Sequence, residues 1–273
     1  MGMIKGIDVS HWQGDINWSK VKEAGIKFAI LKAGGSDDGF YKDSHFEANY
    51  KGAKAAGIPI GAYYFVGKGC VTAADGKADA ERFIALLKGK QFEYPVYMDC
   101  EVTPLSAKKG ATDAAIAFCE ALEKAGYYAG IYGSTYSTFE SRLDDSRLQA
   151  YAHWVAQYAN SCTYTGKVGI GIWQYSSTGK VAGINGNVDM NYAYVDYPSL
   201  IKKLGKNGYT AQNTSGSQNK DISARFSAIS GIIGKTAVKA LQTYLNVKAN
   251  AGLKVDGDFG KLTFKALQKY LNQ

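Results

Sequence analysis

Asp99 and Glu101 stand one residue apart at the end of an apolar run, Tyr94-Pro95-Val96-Tyr97-Met98. If that run is a strand, positions i and i+2 project to the same face. Both carboxyl groups then enter one space, and Cys100 faces the other way. Two carboxyls held together, one ionised and one protonated, are what glycosidic-bond hydrolysis requires. A plain solvated strand end would also carry two such acids, so the pair alone leaves enzyme and non-enzyme open. Asp8 ends a second apolar run, Ile4–Ser10, and is a further acid of the same kind.

The elements that must position these acids follow a regular order over residues 4–204. Strand-like stretches at Ile4–Ser10, Lys27–Gly34, Pro59–Val66, Tyr94–Thr103 and Tyr128–Ser134 alternate with helix-like stretches that stop at Gly25, Gly57 and Gly126. Such alternation implies βα units and a parallel sheet. After Ser134 the rhythm changes: Ala152–Tyr158, Gly169–Tyr175 and Val188–Tyr194 are strands with little room for helices between them. The fold class is therefore α/β, an irregular (β/α) barrel closed by plain strands, followed by a small all-α domain. Barrel chemistry sits at the C-terminal ends of strands, which is where Asp8, Asp99 and Glu101 fall.

The chain has 273 residues, 46% hydrophobic and 13% aromatic, with 20 tyrosines. That is enough for a barrel and a small second domain, and tyrosine pairs a flat apolar face with a polar tip, suited to stacking on sugars. The net charge of +8 is uneven: residues 1–204 hold 22 Lys and Arg against 21 Asp and Glu, residues 205–273 hold 10 against 3. The C-terminal part should therefore favour an anionic partner. Cys70, Cys100, Cys119 and Cys162 lie far apart without a C-x-x-C, as reduced thiols would. His11, His45 and His153 have no metal-ligand spacing, so no metal and no cofactor is expected. The start, Met-Gly-Met-Ile-Lys, has no apolar signal segment, and no stretch suits membrane insertion.

Gly205–Lys220 is polar and rich in Gly, Ser, Asn and Gln, a flexible linker by composition. Beyond it an internal repeat recurs after 26 residues: Gly234–Asn246 reads GKTAVKALQTYLN and Gly260–Asn272 reads GKLTFKALQKYLN. Both have helical periodicity. The expected domains are 1–204, a linker at 205–220 and a helical domain at 221–273.

The run Gly6-Ile7-Asp8-Val9-Ser10-His11-Trp12-Gln13-Gly14 resembles the N-terminal signature of glycoside hydrolase family 25 lysozymes. Later pieces agree in order: Gly61-Ala62-Tyr63-Tyr64-Phe65, Asp99-Cys100-Glu101, Gly130-Ile131-Tyr132, Trp154-Val155-Ala156-Gln157-Tyr158, Trp173-Gln174-Tyr175 and Asp189-Met190-Asn191. The resemblance covers about residues 4–197. It implies a muramidase that cuts peptidoglycan between N-acetylmuramic acid and N-acetylglucosamine, with Asp8, Asp99, Glu101 and Asp189 as its acids. Glu101 would be the general acid and later the base, Asp99 would stay ionised, and Asp8 and Asp189 would support them. Tyr64, Tyr132, Trp154, Tyr158 and Trp173 are candidate sugar-binding residues. Tyr64 departs from the family, where a histidine is common, and Gly35-Ser36 replaces an acidic continuation.

The C-terminal repeat, above all Val255-Asp256-Gly257-Asp258-Phe259-Gly260, resembles the helical peptidoglycan-binding domain of wall hydrolases; it lacks the ligand spacing of a calcium loop. The expected whole is a phage endolysin, held in the host cytoplasm until release and then acting on the wall of a Gram-positive cell. Its partner is peptidoglycan, not nucleic acid, and self-association through the C-terminal helices is a further expectation. A bacterial autolysin of the same chemistry and a lectin-like wall binder without activity are the alternatives. Scattered histidines argue against a zinc amidase, the missing local Cys–His motif against a cysteine peptidase, and the missing aspartate run against a chitinase-like barrel.

Overall fold

The computed structural model describes residues 3–166, 169–211, 234–247 and 249–271. Among the described residues nine strands are formed: β1 (Ile4–Val9), β2 (Phe28–Gly35), β3 (Tyr41–Lys42), β4 (Ile60–Phe65), β5 (Val96–Asp99), β6 (Ala129–Ser134), β7 (Ala152–Ala156), β8 (Ile172–Gly179) and β9 (Val188–Ala193). Eight of them close into a barrel in the order β1-β2-β4-β5-β6-β7-β8-β9, and β3 pairs antiparallel with β2 outside it. All neighbours run parallel except β9, which is antiparallel to both β8 and β1. The reversed strand follows from the short final connections, since a parallel return needs a crossover of a dozen residues or more.

Helices cover the barrel where the sequence supplies their end signals. α1 (Trp18–Glu23) is capped by the Asn17 side chain, which accepts from the Lys20 amide. α2 (Phe46–Ala55) follows β3. α3 (Ala73–Leu87) starts in a capping box in which Thr72 and Asp75 satisfy each other's backbone amides. α4 (Lys108–Lys124) packs beside it, and α5 (Tyr197–Leu204) is capped by Asp196 and stopped by Gly205 at φ +64°, a conformation glycine adopts without strain.

Strand alternation sorts the core into two layers. Leu31, Ala62, Met98 and Ile131 point outward and pack with Phe83, Phe118 and Leu122 of the helices. Phe28, Ile30, Tyr97, Tyr132, Trp154 and Ile172 point inward and fill the barrel. Tyr197 and Ile201 of α5 join the inner layer, where Tyr94 stacks on Phe28 at 4.4 Å and lies 5.6 Å from Tyr197. Both Tyr94 and Phe28 mark strand beginnings, so α5 seals the end of the barrel opposite the strand C-termini.

The stretch expected to open a flexible linker at Gly205 instead docks on the barrel. Asn207 is fully buried, accepts from the Tyr128 amide at 2.7 Å and donates to the Tyr94 carbonyl at 2.8 Å. Tyr209 hydrogen-bonds the Glu93 carboxylate. Satisfied polar groups at a strand start hold this segment; residues 212–220 of the expected linker and 221–233 of the expected domain lie outside the described residues. By internal packing the chain divides into Met1–Gln212 and Asn213–Gln273.

In the second unit, α6 (residues 234–247) and α7 (Lys261–Leu271) enclose Val238 and Phe259, with Leu241, Phe264 and Leu267 against them. Gln242 is buried and pins the turn between them, donating to Asp256 Oδ1, the Asp258 carbonyl and Thr263 Oγ1 while accepting from the Gly257 amide. The repeat-related Tyr244 and Tyr270 meet through their hydroxyls at 2.6 Å.

Candidate active site

The inward residues nearest the strand C-termini form one polar layer. β1 supplies Asp8, β2 Lys32, β4 Tyr63, β5 Asp99, β6 Tyr132, β8 Gln174 and β9 Asp189 and Asn191. Because β9 runs backwards, Asp189 stands at its start and lies directly opposite Asp8 in the ladder. Glu101 follows two residues past the last paired position of β5 and is half-buried, while Asp99 is 3% exposed. The four acids thus lie at the same end of the barrel, in two carboxyl–carboxyl pairs, Asp99 with Glu101 and Asp8 with Asp189.

Two facing carboxyls can hydrogen-bond only when one carries a proton. Burial raises the Asp99 pKa well above the usual carboxylate range, and the charge of Glu101 raises it further. Burial also raises Glu101, but the hydrogen bond from Asp99 and the charge of Arg142 oppose the rise. Burial and the neighbouring Glu101 charge thus favour the protonated form of Asp99, the deeper group. The resemblance implied an ionised Asp99, a charge against which its burial works. Asp8 is raised by burial and by the charge of Asp189, against hydrogen bonds from Asn191 and Gln174.

Lys32 is the cation of the layer. Its charge favours ionisation of both Asp99 and Glu101, and its ammonium lies over the rings of Phe65 (4.9 Å), Tyr41 (5.5 Å) and Tyr63 (5.9 Å). Arg142 ties down the loop after β5 by donating to the Thr103 carbonyl. The Tyr63 hydroxyl is pushed well up by burial and by the charges of Asp8 and Asp99, so it remains a donor. Gln174 is 1% exposed; its Oε1 accepts from Tyr132 (2.8 Å) and Tyr158 (3.0 Å), and its Nε2 donates to Asp8 Oδ2 (2.9 Å). Asn191 donates to the same Asp8 oxygen (2.8 Å) and accepts from Trp154 Nε1 (2.8 Å).

A cleft of ≈ 470 Å³ opens beside Glu101, walled by Tyr132, Ser134, Tyr136, Ala156 and Tyr158 among others. Tyr158 and Tyr136 are 59% and 61% exposed and present ring faces at the rim, as sugar-stacking residues do. Of the five aromatic candidates, Tyr132 and Tyr158 line this cleft. Trp154 points inward but is 1% exposed, packed against Tyr132 at 4.2 Å as the floor beneath the acids. Tyr64 and Trp173 are on the wrong side. Tyr64 is fully buried under the helices against Phe83 and Phe118, with its hydroxyl on Asp79. Trp173 faces outward with Tyr175 and Tyr192. The inward neighbours, Tyr63 and Gln174, hold the positions these two were expected to fill.

Lys32, Tyr63, Tyr136, Gln174 and Asn191 were not singled out by sequence. Strand phase was a signal for two of them: Lys32 keeps step with the inward Phe28 on β2, and Asn191 with Asp189 on β9. Among the described residues no group of three or more His, Cys, Asp or Glu is placed to hold a metal ion. His11 bonds the buried Asp43 carboxylate at 2.8 Å.

Comparison with known proteins agrees with this geometry. Lysozyme M1 of Streptomyces globisporus is 35% identical over 207 residues, covering 69% of this chain and 67% of that protein. The crystal structure of the bacterial lysozyme from Streptomyces coelicolor superposes with a TM-score of 0.63 at 31% identity, over 75% of this chain and 97% of that one. The modular autolysin LytC from Streptococcus pneumoniae, solved in complex with a synthetic peptidoglycan ligand, gives a TM-score of 0.63 at 27% identity, over 70% of this chain and 47% of that longer one. Residues 7–184 match the family described as glycosyl hydrolases family 25. The chain belongs to glycosyl hydrolases family 25 and is a glycoside hydrolase of the peptidoglycan-cleaving lysozyme type.

Proposed function

We propose that the barrel is an N-acetylmuramidase in which Asp99 and Glu101 share the catalytic proton. The observation that carries this is the buried Asp99–Glu101 pair opening on an aromatic-walled cleft. A ligand amide N–H donated to Asp99 would favour its ionised form and pass the proton to Glu101. Glu101 then protonates the glycosidic oxygen as the C–O bond breaks, the bonding electron pair leaving on that oxygen. The Asp99 carboxylate faces the positive charge that develops at the anomeric carbon. Glu101, now ionised, takes a proton from water, whose oxygen completes the reducing end. Asp8 and Asp189 hold further negative charge beside the reacting sugar, and Tyr132 and Tyr158 wall the cleft that receives the glycan.

The wider reading is a phage endolysin for Gram-positive walls, held in the host cytoplasm until release. The basic residues 205–273 support wall targeting, since ten cations against three anions suit an anionic surface. The LytC likeness keeps the autolysin alternative in view. The test is turbidity loss and new reducing ends from purified Gram-positive walls, wild type against Glu101→Gln. Wild type should clear the walls and free reducing sugars, and the variant should do neither. Clearing without reducing ends would mean that another bond is cut.

A further inference from the structure

Gln174 sits where the acid layer and the cleft meet, and every polar atom of its side chain is used. Its Oε1 accepts two hydroxyls, from Tyr132 at 2.8 Å and Tyr158 at 3.0 Å. Its Nε2 lies 2.9 Å from Asp8 Oδ2 and 3.5 Å from Asp189 Oδ2. An amide has a fixed polarity, so this arrangement allows one orientation only: both tyrosines donate inward, and the amide donates onward to the acids. Asn191 reaches the same Asp8 oxygen from β9 while accepting from Trp154. The donors run from cleft wall to acid pair without a break.

We propose that Gln174 is a positioning residue for hydrolysis, fixing the Tyr158 wall of the cleft and the charge of the Asp8–Asp189 pair through one amide. Tyr158 is 59% exposed, and among the described residues the bond to Gln174 ties its hydroxyl to the barrel interior. Without that tie the hydroxyl keeps only Ser177 beside it, outside the acid layer, and the ring is held less firmly in the cleft. At its other end the amide supplies one of two N–H donors that favour an ionised Asp8 oxygen. The titratable groups that feel Asp8 from other elements are Asp189 on β9, Tyr63 on β4, Asp99 on β5, Tyr132 on β6 and Tyr158 after β7, while the charge of Lys32 on β2 reaches Asp99 and Glu101. Two effects are therefore expected of one side chain, on substrate affinity and on the acid limb of the pH profile.

This inference rests on the cleft at Glu101 being the glycan site, so the wild type is first shown to free reducing ends from soluble glycan strands. If it does not, that reading fails and not this one. With an active wild type, kcat and KM are then measured across pH for Gln174→Met, Tyr158→Phe and the double variant. Tyr158→Phe should raise KM about threefold or more and leave the acid limb where it was. Gln174→Met should raise KM similarly and move the acid limb up by about one pH unit, since the pair then keeps its proton to higher pH. In the double variant the KM rise should not exceed that of Gln174→Met alone, as for two residues acting through one contact. Multiplying KM effects, or a pH-independent loss of kcat with unchanged KM in Gln174→Met, would overturn the proposal. Should Gln174→Met show no melting transition, Tyr158→Phe decides alone: a wild-type KM there overturns it.

Discussion

Asp99 is held in a state that costs the folded protein stability. Its pKa, with those of Asp8 and Glu101, is raised by burial, so the folded state binds protons that the unfolded chain gives up. Stability from these groups is fullest below the ordinary carboxylate range, about pH 4, and is lost as pH rises through the raised values. Asp99→Asn removes one such group while keeping its shape. It should stabilise the barrel at pH 7 by roughly 0.5–2 kcal/mol, with the gain shrinking toward pH 4, while hydrolysis falls by about 100-fold or more. Calorimetry at both pH values checks it, and a lower melting temperature at pH 7 would contradict the burial argument. Lys32→Met acts in the opposite electrostatic sense. Without the ammonium, Asp99 and Glu101 both hold protons more tightly, so the acid limb of activity should move up by about one pH unit. At this scale the sequence was legible for the acids, because i and i+2 on a strand must share a face. It was misleading for Tyr64 and Trp173, because an aromatic residue fits the inner and outer layers equally well. Only the phase set by Asp99 on β5, carried across the ladder to β4, tells Tyr63 from Tyr64. Strand phase places Lys32 and Asn191 on the inner face, but the partners that give them and Gln174 their roles lie far away in sequence.

The helices were legible through the Asn17 cap and the stops at Gly25, Gly57 and Gly126; the Thr72–Asp75 and Asp196 caps are local signals of the same kind that went unread, and Gly205, which stops α5, was taken for linker. How closely two helices approach is not written locally. Gly76 of α3 lies so near α4 that a Cβ there would come within 2.0 Å of the Ala114 carbonyl oxygen. Backbone cannot retreat as a flexible side chain can, so Gly76→Ala should destabilise the barrel by about 1–3 kcal/mol through overpacking. The shift is measured in urea, and activity per folded molecule should be unchanged since α3 carries none of the acids. The docking of residues 205–211 was hidden by composition: glycine, asparagine and lysine there look like linker, yet Asn207 meets the two backbone groups left open at β5 and β6.

For the whole molecule, charge separation between the two parts gives the proposed wall targeting a test. The barrel is nearly neutral, and residues 205–273 carry a clear excess of cations. Retention of the full chain on sedimented Gram-positive walls should fall steeply between ~0.05 and ~0.5 M salt, while release of reducing ends from short soluble glycans should change little. Salt-independent retention would remove the electrostatic basis for targeting. The architecture itself, an α/β barrel finished by plain strands, was legible from the changed spacing after Ser134. The reversed direction of β9 is written in the same spacing, since the short β8–β9 connection leaves no room for a parallel crossover.

That reversal also sets the moment at which the enzyme comes into being. β1 comes first of the barrel strands in the chain, and its second neighbour, β9, is more than 180 residues away. Pairings so distant in sequence form late. Until β9 arrives, β1 has one edge open, and Asp8 lacks Asp189 and Asn191. The same strand then shuts the sheet and completes the acid layer, so a nascent or truncated chain that stops short of Val188 has neither a closed barrel nor a working site. Closure and competence are a single event.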